Sequence, residues 1–391
     1  MGYNPSELRY LRKGIVWASR AVRGIDPWKV VFSCFQGRNY GDNPRYISER
    51  LHDRCPEAKI VWLFRADAMA KVRDRLPDYA VPVSMKSFRA YAELATARVW
   101  VDNYTKNNLL TWDPKKQFYI QTWHGDRGFK RVGFDDEKSD RSVERVERRC
   151  AMMIAGSEFG RNTYRTAFGF RGEVLMDGCP RNDVLIRNDP DQAAAIKRRL
   201  SIPEGVKLLM YAPTYRDMRM QKRQDAVLDV PRTLDHLEKV TGARWKCLYR
   251  AHYMNTELVM GARDDRLIDA SGYPEMTELL LITDMLITDY SSCGGDFALL
   301  RRPVFLYHAD AEEYLRECRS FYFDIEKSPF LVAHSQEELD RLIDTTDAQK
   351  ARENCEALDR FFGTSETGRA ADAVCDYIIA RLGGQHTGGT V

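Results

Sequence analysis

Short apolar, β-rich runs alternate with helix-length segments along this chain, twice over, and that rhythm restricts the fold more than any other feature. KVVFSCF (29–35), AKIVWLF (58–64) and ARVWVDN (97–103) are separated by PRYISERLHDR and AMAKVRDRL, both of which read as helices. The pattern continues through QFYIQTW, the charged helix DRSVERVERRC, CAMMIAGS and FGRNTYRTAF to GEVLMDGCPRND. After a polar connection (188–205) it restarts with VKLLMYAPT (206–214), RWKCLYRAH (244–252), DMLITDYSS (284–292) and VFLYHAD. Strands separated by helices of this length form parallel sheets covered on both faces. The expectation is an α/β protein with two doubly wound halves facing a central cleft. Residues 1–187 form the first half, 188–383 the second, and 384–391 a disordered tail.

The 391 residues exceed the usual size of one domain. Sixty basic residues nearly cancel 57 acidic ones, leaving +3, so anion recognition has to be local and nucleic acid is not an expected partner. Nine cysteines show no zinc-binding spacing; Cys34, Cys247 and Cys293 read as small buried thiols in a reducing cytoplasm. With no secretory leader pattern and no membrane-length apolar run, a soluble cytoplasmic protein is expected. Residues 6–24 carry Leu8, Leu11, Ile15 and Ala18 near helical spacing, among Arg9, Arg12, Lys13, Arg20 and Arg23. Such a helix either packs on its own domain or lies on anionic lipid, which would place the chain peripherally on the inner face of the plasma membrane.

Polar clusters fall directly after strand-like runs at four places: His124-Gly125, Pro213-Thr214-Tyr215-Arg216, Arg250-Ala251-His252 and Asp289-Tyr290-Ser291-Ser292. In an α/β sheet that edge is where ligands bind. His124 could be a core histidine bonded to a nearby carbonyl. Its glycine neighbour and the cations Arg127, Lys130 and Arg131 instead favour an anionic ligand, with the imidazole accepting a hydroxyl proton. Lys130 is the candidate phosphate contact of the three. Arg250 and His252 emerge on the same side of a strand and offer a fork of donors with an imidazole beside it. In TDYSSCGGDFALL, hydroxyls and glycines precede an apolar helix, an arrangement suited to a phosphate. Asp289 and Asp296 could cap that helix, or bind a ribose or a divalent ion such as Mg²⁺. No dedicated metal site is expected.

At TWHGDRGFKRVG, GSEFGRNTYRTAFGF, GCPRND, YAPTYRD, YRAH and LLITDYSSCGGDFALLRRPVFLY the chain resembles the CDP-glycerol glycerophosphotransferases of wall teichoic acid and capsule synthesis. The resemblance runs in family order over residues 30–380. It implies a GT-B-like architecture of two Rossmann-like domains, acceptor side first and nucleotide-donor side second. His124 corresponds to the general base on the acceptor hydroxyl, and His252 to the group stabilising the pyrophosphate or leaving CMP. Gly125, Lys130, Thr214, Arg216, Arg250, Asp289, Ser291 and Ser292 are the expected donor-binding residues. The implied partners are CDP-glycerol or a similar CDP-polyol and a lipid-linked or polymeric glycan acceptor. In two places the chain departs from the family pattern: Asp126-Arg127 stand where many members have threonine, and Tyr253 where proline is common. A sugar-nucleotide glycosyltransferase and a nucleotide-sugar epimerase are the alternatives on the same fold.

Overall fold

In the structure, a computed structural model, the β-rich runs become, among the described residues, thirteen strands in two all-parallel sheets. It describes residues 5–104, 113–136, 150–214, 228–250, 264–311, 314 and 320–383, with side chains from residue 11 onward. The first sheet comprises β1 (Asp26–Ser33), β2 (Lys59–Phe64), β3 (Val81–Ser84), β4 (Ala97–Asp102), β5 (Phe118–Gln121), β6 (Met152–Ile154) and β7 (Glu173–Leu175). Its order is β3-β2-β1-β4-β5-β6-β7. The second comprises β8 (Val206–Ala212), β9 (Arg244–Tyr249), β10 (Leu267–Asp269), β11 (Met285–Thr288), β12 (Val304–Tyr307) and β13 (Leu331–Ala333), ordered β10-β9-β8-β11-β12-β13. Strand order reverses between β1 and β4 and again between β8 and β11, and these two switch points face the cleft.

The apolar runs are nearly continuous because both faces of each sheet are covered. Along β1, Val30 and Phe32 bury on one side with Trp62, Val99 and Ile47. Val31 faces the other side with Val61, Trp100 and Leu94. In β8, Leu208 and Met210 pack with Leu279 and Leu280, while Leu209 and Tyr211 pack with Leu234 and Leu237. The second half opens at helix Pro190–Arg199, where the Asp189 side chain accepts from Asp191 N and proline occupies the first turn.

One boundary differs from the sequence reading, which kept everything up to residue 383 in the second half. Helix Ala370–Ile379 instead returns to the first: Val374, Cys375, Ile378 and Leu382 bury in the core that contains Val30, Phe32 and Trp62. The N-terminal helix Pro5–Arg23 packs on its own lobe. Val16 meets Tyr91 and Ala95, and Arg20 donates from Nε to Ala95 O (3.1 Å) and from Nη2 to Gln117 Oε1 (2.9 Å). Leu11, Trp17 and Val22 remain exposed. Among the described residues no helix is long and apolar enough to cross a membrane. Cys34, Cys247 and Cys293 are buried free thiols, as expected. The helix expected at 140–150, apart from Cys150, and the tail 384–391 lie outside the described residues.

The lobes are stapled by the loop that follows β5. Phe129 is buried in the second lobe's core against Phe323 and Phe330. Its carbonyl accepts from Tyr322 N (2.9 Å), Lys130 bridges Phe321, and Arg131 N donates to Ser320 O (2.9 Å).

Candidate active site

His124 stands three residues beyond the end of β5, on a strained turn: Trp123, immediately before it, has φ +52°. The Gln121 side chain holds that turn by accepting from Trp123 N at 2.9 Å. The imidazole lies near-parallel to Tyr104 (5.4 Å between centroids) and against Trp123 (4.4 Å), with the Phe35 ring edge-on to it (5.3 Å). Nδ1 is 2.7 Å from Asn103 O. A carbonyl can only accept, so Nδ1 carries the proton, and the lone pair of the neutral ring is on Nε2. Burial holds the His124 pKa below its usual 6.5, against the opposing pull of the Asn103 hydrogen bond. The ring is therefore a neutral base near pH 7. Asn103 was missed in the sequence; its signal was a polar residue at the end of β4, beside β5.

His124, Gly125, Lys130, Thr214, Ser291 and Ser292 line a single cavity of about 220 Å³, together with Tyr290 and Tyr322. These residues come from the ends of β5, β8 and β11, so both lobes contribute. A Cβ at Gly125 would approach nothing closer than Trp123 Nε1 at 3.6 Å, so packing does not demand glycine there. Lys130 Nζ lies 5.3 Å from the Tyr314 ring centre. Tyr290 stacks on Tyr314 (3.8 Å) and on buried His308 (4.3 Å). Ser292 precedes the short helix Cys293–Phe297 and makes no capping bond with its side chain.

Several expectations change. Asp289 is buried and does not line the cavity. Its carboxylate accepts from Thr214 N (2.9 Å), Thr214 Oγ1 (3.1 Å) and Tyr290 N (2.6 Å), so it shapes the β8 and β11 loops. With its proton given to Asp289, the Thr214 hydroxyl presents lone pairs to the cavity. It suits a ligand hydroxyl or amine better than a phosphate oxygen. Arg250 is turned away, donating from Nη1 to Tyr273 O (2.6 Å) and Ala270 O (3.4 Å). Of the glycines after the serines, Gly295 packs closely, since a Cβ there would meet Arg127 Cβ at 3.0 Å, whereas one on Gly294 would come no nearer than 3.4 Å to Phe330. Arg216 and His252 lie outside the described residues.

Arg127, expected at the ligand, lies in a buried ionic cluster between the lobes. Its Nη2 donates to Asp296 Oδ1 (2.8 Å) and Glu366 Oε1 (2.9 Å). Arg181 Nη2 reaches Asp296 Oδ2 (3.0 Å), while Asn182 Nδ2 donates to Asp296 (3.0 Å) and Glu366 (2.8 Å). Asp126 Oδ1 accepts from Gly156 N at 3.1 Å. Two glycines of GSEFG make room for these carboxylates. A Cβ on Gly160 would sit 1.9 Å from Asp126 Oδ1, and one on Gly156 would sit 2.2 Å from Glu366 Oε1. Burial pushes the Glu366 carboxyl up to about 7 and raises Asp126. For Asp296 burial also acts upward, but Arg181 and Arg127 outweigh it and hold the carboxyl below its ordinary value. The role left open for Asp296, a cap or a ligand for ribose or a divalent ion, gives way to this ion pairing. Among the described residues no group of three or more His, Cys, Asp or Glu side chains is arranged to hold a metal ion.

The family model for CDP-glycerol:poly(glycerophosphate) glycerophosphotransferase matches residues 16–380. The chain belongs to this glycerophosphotransferase family. A teichoic acid glycerol-phosphate transferase of Staphylococcus aureus is 30% identical over 367 residues, covering 90% of this chain and 92% of the relative. A teichoic acid poly(glycerol phosphate) polymerase of Staphylococcus epidermidis is 30% identical over 376 residues, which is 90% of this chain but 51% of the polymerase. A similar polymerase of Bacillus subtilis is 33% identical, with 41% of its length covered. The chain thus spans about half the length of these polymerases or less. A solved structure of the wall teichoic acid polymerase TagF, soaked with CDPG, superposes with a TM-score of 0.82 at 28% identity, covering 96% of this chain and 94% of that one. The two-lobed, GT-B-like fold is shared. The family stretches divide between two tasks: WHG, Thr214 of YAPT and Tyr290, Ser291 and Ser292 of DYSS line the cavity, whereas GSEFG and GCPRND contribute to the buried ionic cluster.

Proposed function

We propose that the chain transfers a glycerol-phosphate or related polyol-phosphate unit from a CDP-activated donor to a hydroxyl of a lipid-linked or polymeric teichoic-acid acceptor, with release of CMP. The observation that carries this reading is the single cavity in which His124, from one lobe, is set among Lys130, Thr214, Ser291 and Ser292. The acceptor O–H gives its proton to His124 Nε2 as its oxygen attacks the phosphorus that bears the polyol. The bond from that phosphorus to the CMP oxygen breaks, and CMP leaves with the electron pair. Lys130 and the serine hydroxyls offset charge on the diphosphate, since phosphoryl transfer depends mainly on positioning and electrostatics. Asp289 and Asp296 are not ready ligands for a divalent ion, because their carboxylates are engaged by other donors.

The same reading seats the chain peripherally on the inner membrane face, through helix Pro5–Arg23. Trp17 (74% exposed) and Val22 (83%) lie free of the fold, close to Lys13 and Arg23. Offering the purified protein a panel of CDP- and UDP-activated donors tests the reaction. CMP together with a new phosphodiester is the expected outcome; a nucleoside diphosphate together with a glycoside would overturn it.

A further inference from the structure

A second hollow, of about 400 Å³, opens between the lobes, walled by Tyr40, Arg45 and Arg75 on one side and by Arg199, Tyr273 and Glu278 on the other. Three guanidinium groups thus face one lining carboxylate. Glu278 is shared: its Oε1 accepts from Arg45 (3.0 Å), and its Oε2 accepts from Tyr273 OH (2.6 Å) and pairs with Arg199. Arg45 has a further partner in Glu49 at 2.9 Å. Arg45 also lies 4.0 Å from Glu275, so the carboxylates at the hollow pair with Arg45 and Arg199 and not with Arg75.

Arg75 is half-buried and donates from Nη2 to a neutral oxygen, Asn39 Oδ1, at 3.1 Å. Among the described residues no carboxylate pairs with it. Burial lowers its pKa, and repulsion from Arg45 lowers it further. Glu275, buried nearby, gives only partial relief, because burial and Asp42 push it up to about 7. A guanidinium has five N–H donors in a planar fork suited to phosphate oxygens. A phosphodiester offers that fork two anionic oxygens.

We propose that this hollow is a subsite for a phosphodiester of the polyol-phosphate chain, gripped by Arg75 with Arg45 and Arg199 around it. The assignment rests on the reaction proposed above. The hollow is tied to the His124 cavity through residues 39–43. Asn39 Nδ2 donates across the lobes to Pro274 O (3.0 Å), and Asn43 Nδ2 donates to Trp123 O (3.3 Å), directly before His124. Both hollows have walls from the two lobes, and in the proposed subsite a chain whose end is at His124 places an earlier phosphodiester against Arg75.

The test is calorimetric titration of a glycerol-phosphate oligomer into wild type, Arg75→Gln and Arg75→Lys, with melting temperature as the control for folding. Loss of one charge-assisted contact predicts at least about tenfold weaker oligomer binding for Arg75→Gln, with Arg75→Lys recovering part of it. CMP release from CDP-glycerol with a monomeric acceptor stays unchanged in both variants. Equal oligomer affinity in wild type and Arg75→Gln overturns the subsite. So does Arg75-dependent binding of inorganic phosphate or CMP without Arg75-dependent binding of the oligomer, which marks a site for free anions. If wild type releases no CMP from CDP-glycerol, the proposed reaction fails, and the oligomer titration still decides the subsite independently.

Discussion

Arg127 and Asp296, one from each lobe, meet at 2.8 Å with both side chains buried. Arg127 lies three residues after His124, and Asp296 four after Ser292. Their contact therefore fixes the wall that carries the imidazole relative to the wall that carries the serines. Removing one partner leaves a charge buried without its counterion, which typically costs about 3–5 kcal/mol. Arg127→Met and Asp296→Asn are each expected to lower stability by that amount in denaturant unfolding. Activity should fall in step, although neither residue touches the cavity. The double variant should be less destabilised than the two single losses summed. Additive losses would show the pair to be uncoupled.

His124→Ala removes the base and leaves the donor-binding wall intact. A positioned general base contributes about 10²–10⁴-fold, so turnover should drop by at least about a hundredfold while CDP-glycerol binding is retained. Single-turnover kinetics alongside equilibrium binding separates the two. Near-normal turnover would remove His124 from the chemistry.

The base acts in its unprotonated form, so activity rises with pH and levels off above the imidazole pKa. Burial lowers that pKa from 6.5. The acid limb of kcat/KM should therefore fall below the range of an ordinary histidine. A limb centred above 6.5 would assign it to another group.

Much of this site was legible in the sequence because ligand edges of parallel sheets are written locally. A polar pair after an apolar run places His124, Thr214, Ser291 and Ser292, and both sheets follow from the same alternation. What was not legible depends on partners distant in sequence. Arg127 reads as a loop cation until Asp296 and Glu366, 169 and 239 residues away, are seen to close on it. Asp289 reads as a ligand until Thr214 N turns out to be its donor. The glycines of GSEFG carry no local mark of what they provide, which is room for two carboxylates. The return of helix Ala370–Ile379 to the first lobe was likewise invisible, since its apolar face carries no mark of which sheet it covers.

The N-terminal helix offers a test of membrane seating. Trp17 makes no contribution to the Val16–Tyr91–Ala95 cluster, so Trp17→Ser should leave the fold intact. It should weaken sedimentation with vesicles containing anionic lipid several-fold, and raised salt should weaken wild-type binding too. Side chains of residues 5–10, Arg9 among them, lie outside the described set, so Lys13→Gln is the cleaner charge variant. Unchanged binding in both variants would remove this helix as the contact.

The buried cluster holds the carboxylates Asp126, Asp296 and Glu366 against the guanidinium groups of Arg127 and Arg181, and Asp42 also pairs with Arg181 at 3.5 Å. Carboxylates therefore outnumber guanidinium groups there, and Glu366 reports the imbalance. Its carboxyl titrates near 4.5 when exposed and is pushed up to about 7 by burial in the fold. Between those values the folded state holds the proton more tightly than the unfolded chain. The contribution of Glu366 to stability is thus complete below about pH 4.5 and is lost as pH rises through about 7, by roughly 1–3 kcal/mol. Glu366→Gln cannot titrate, so its stability relative to wild type should climb by that amount over the same interval. Gln also presents an N–H to Cys179 N, where Glu366 Oε2 accepts at 2.9 Å, but that loss offsets the variant equally at every pH. Denaturant unfolding of both proteins across the interval measures the difference. A gap that stays constant with pH would mean that Glu366 is ionised throughout and that the surplus charge is carried elsewhere, with Asp126, itself raised by burial, the next carboxyl to examine.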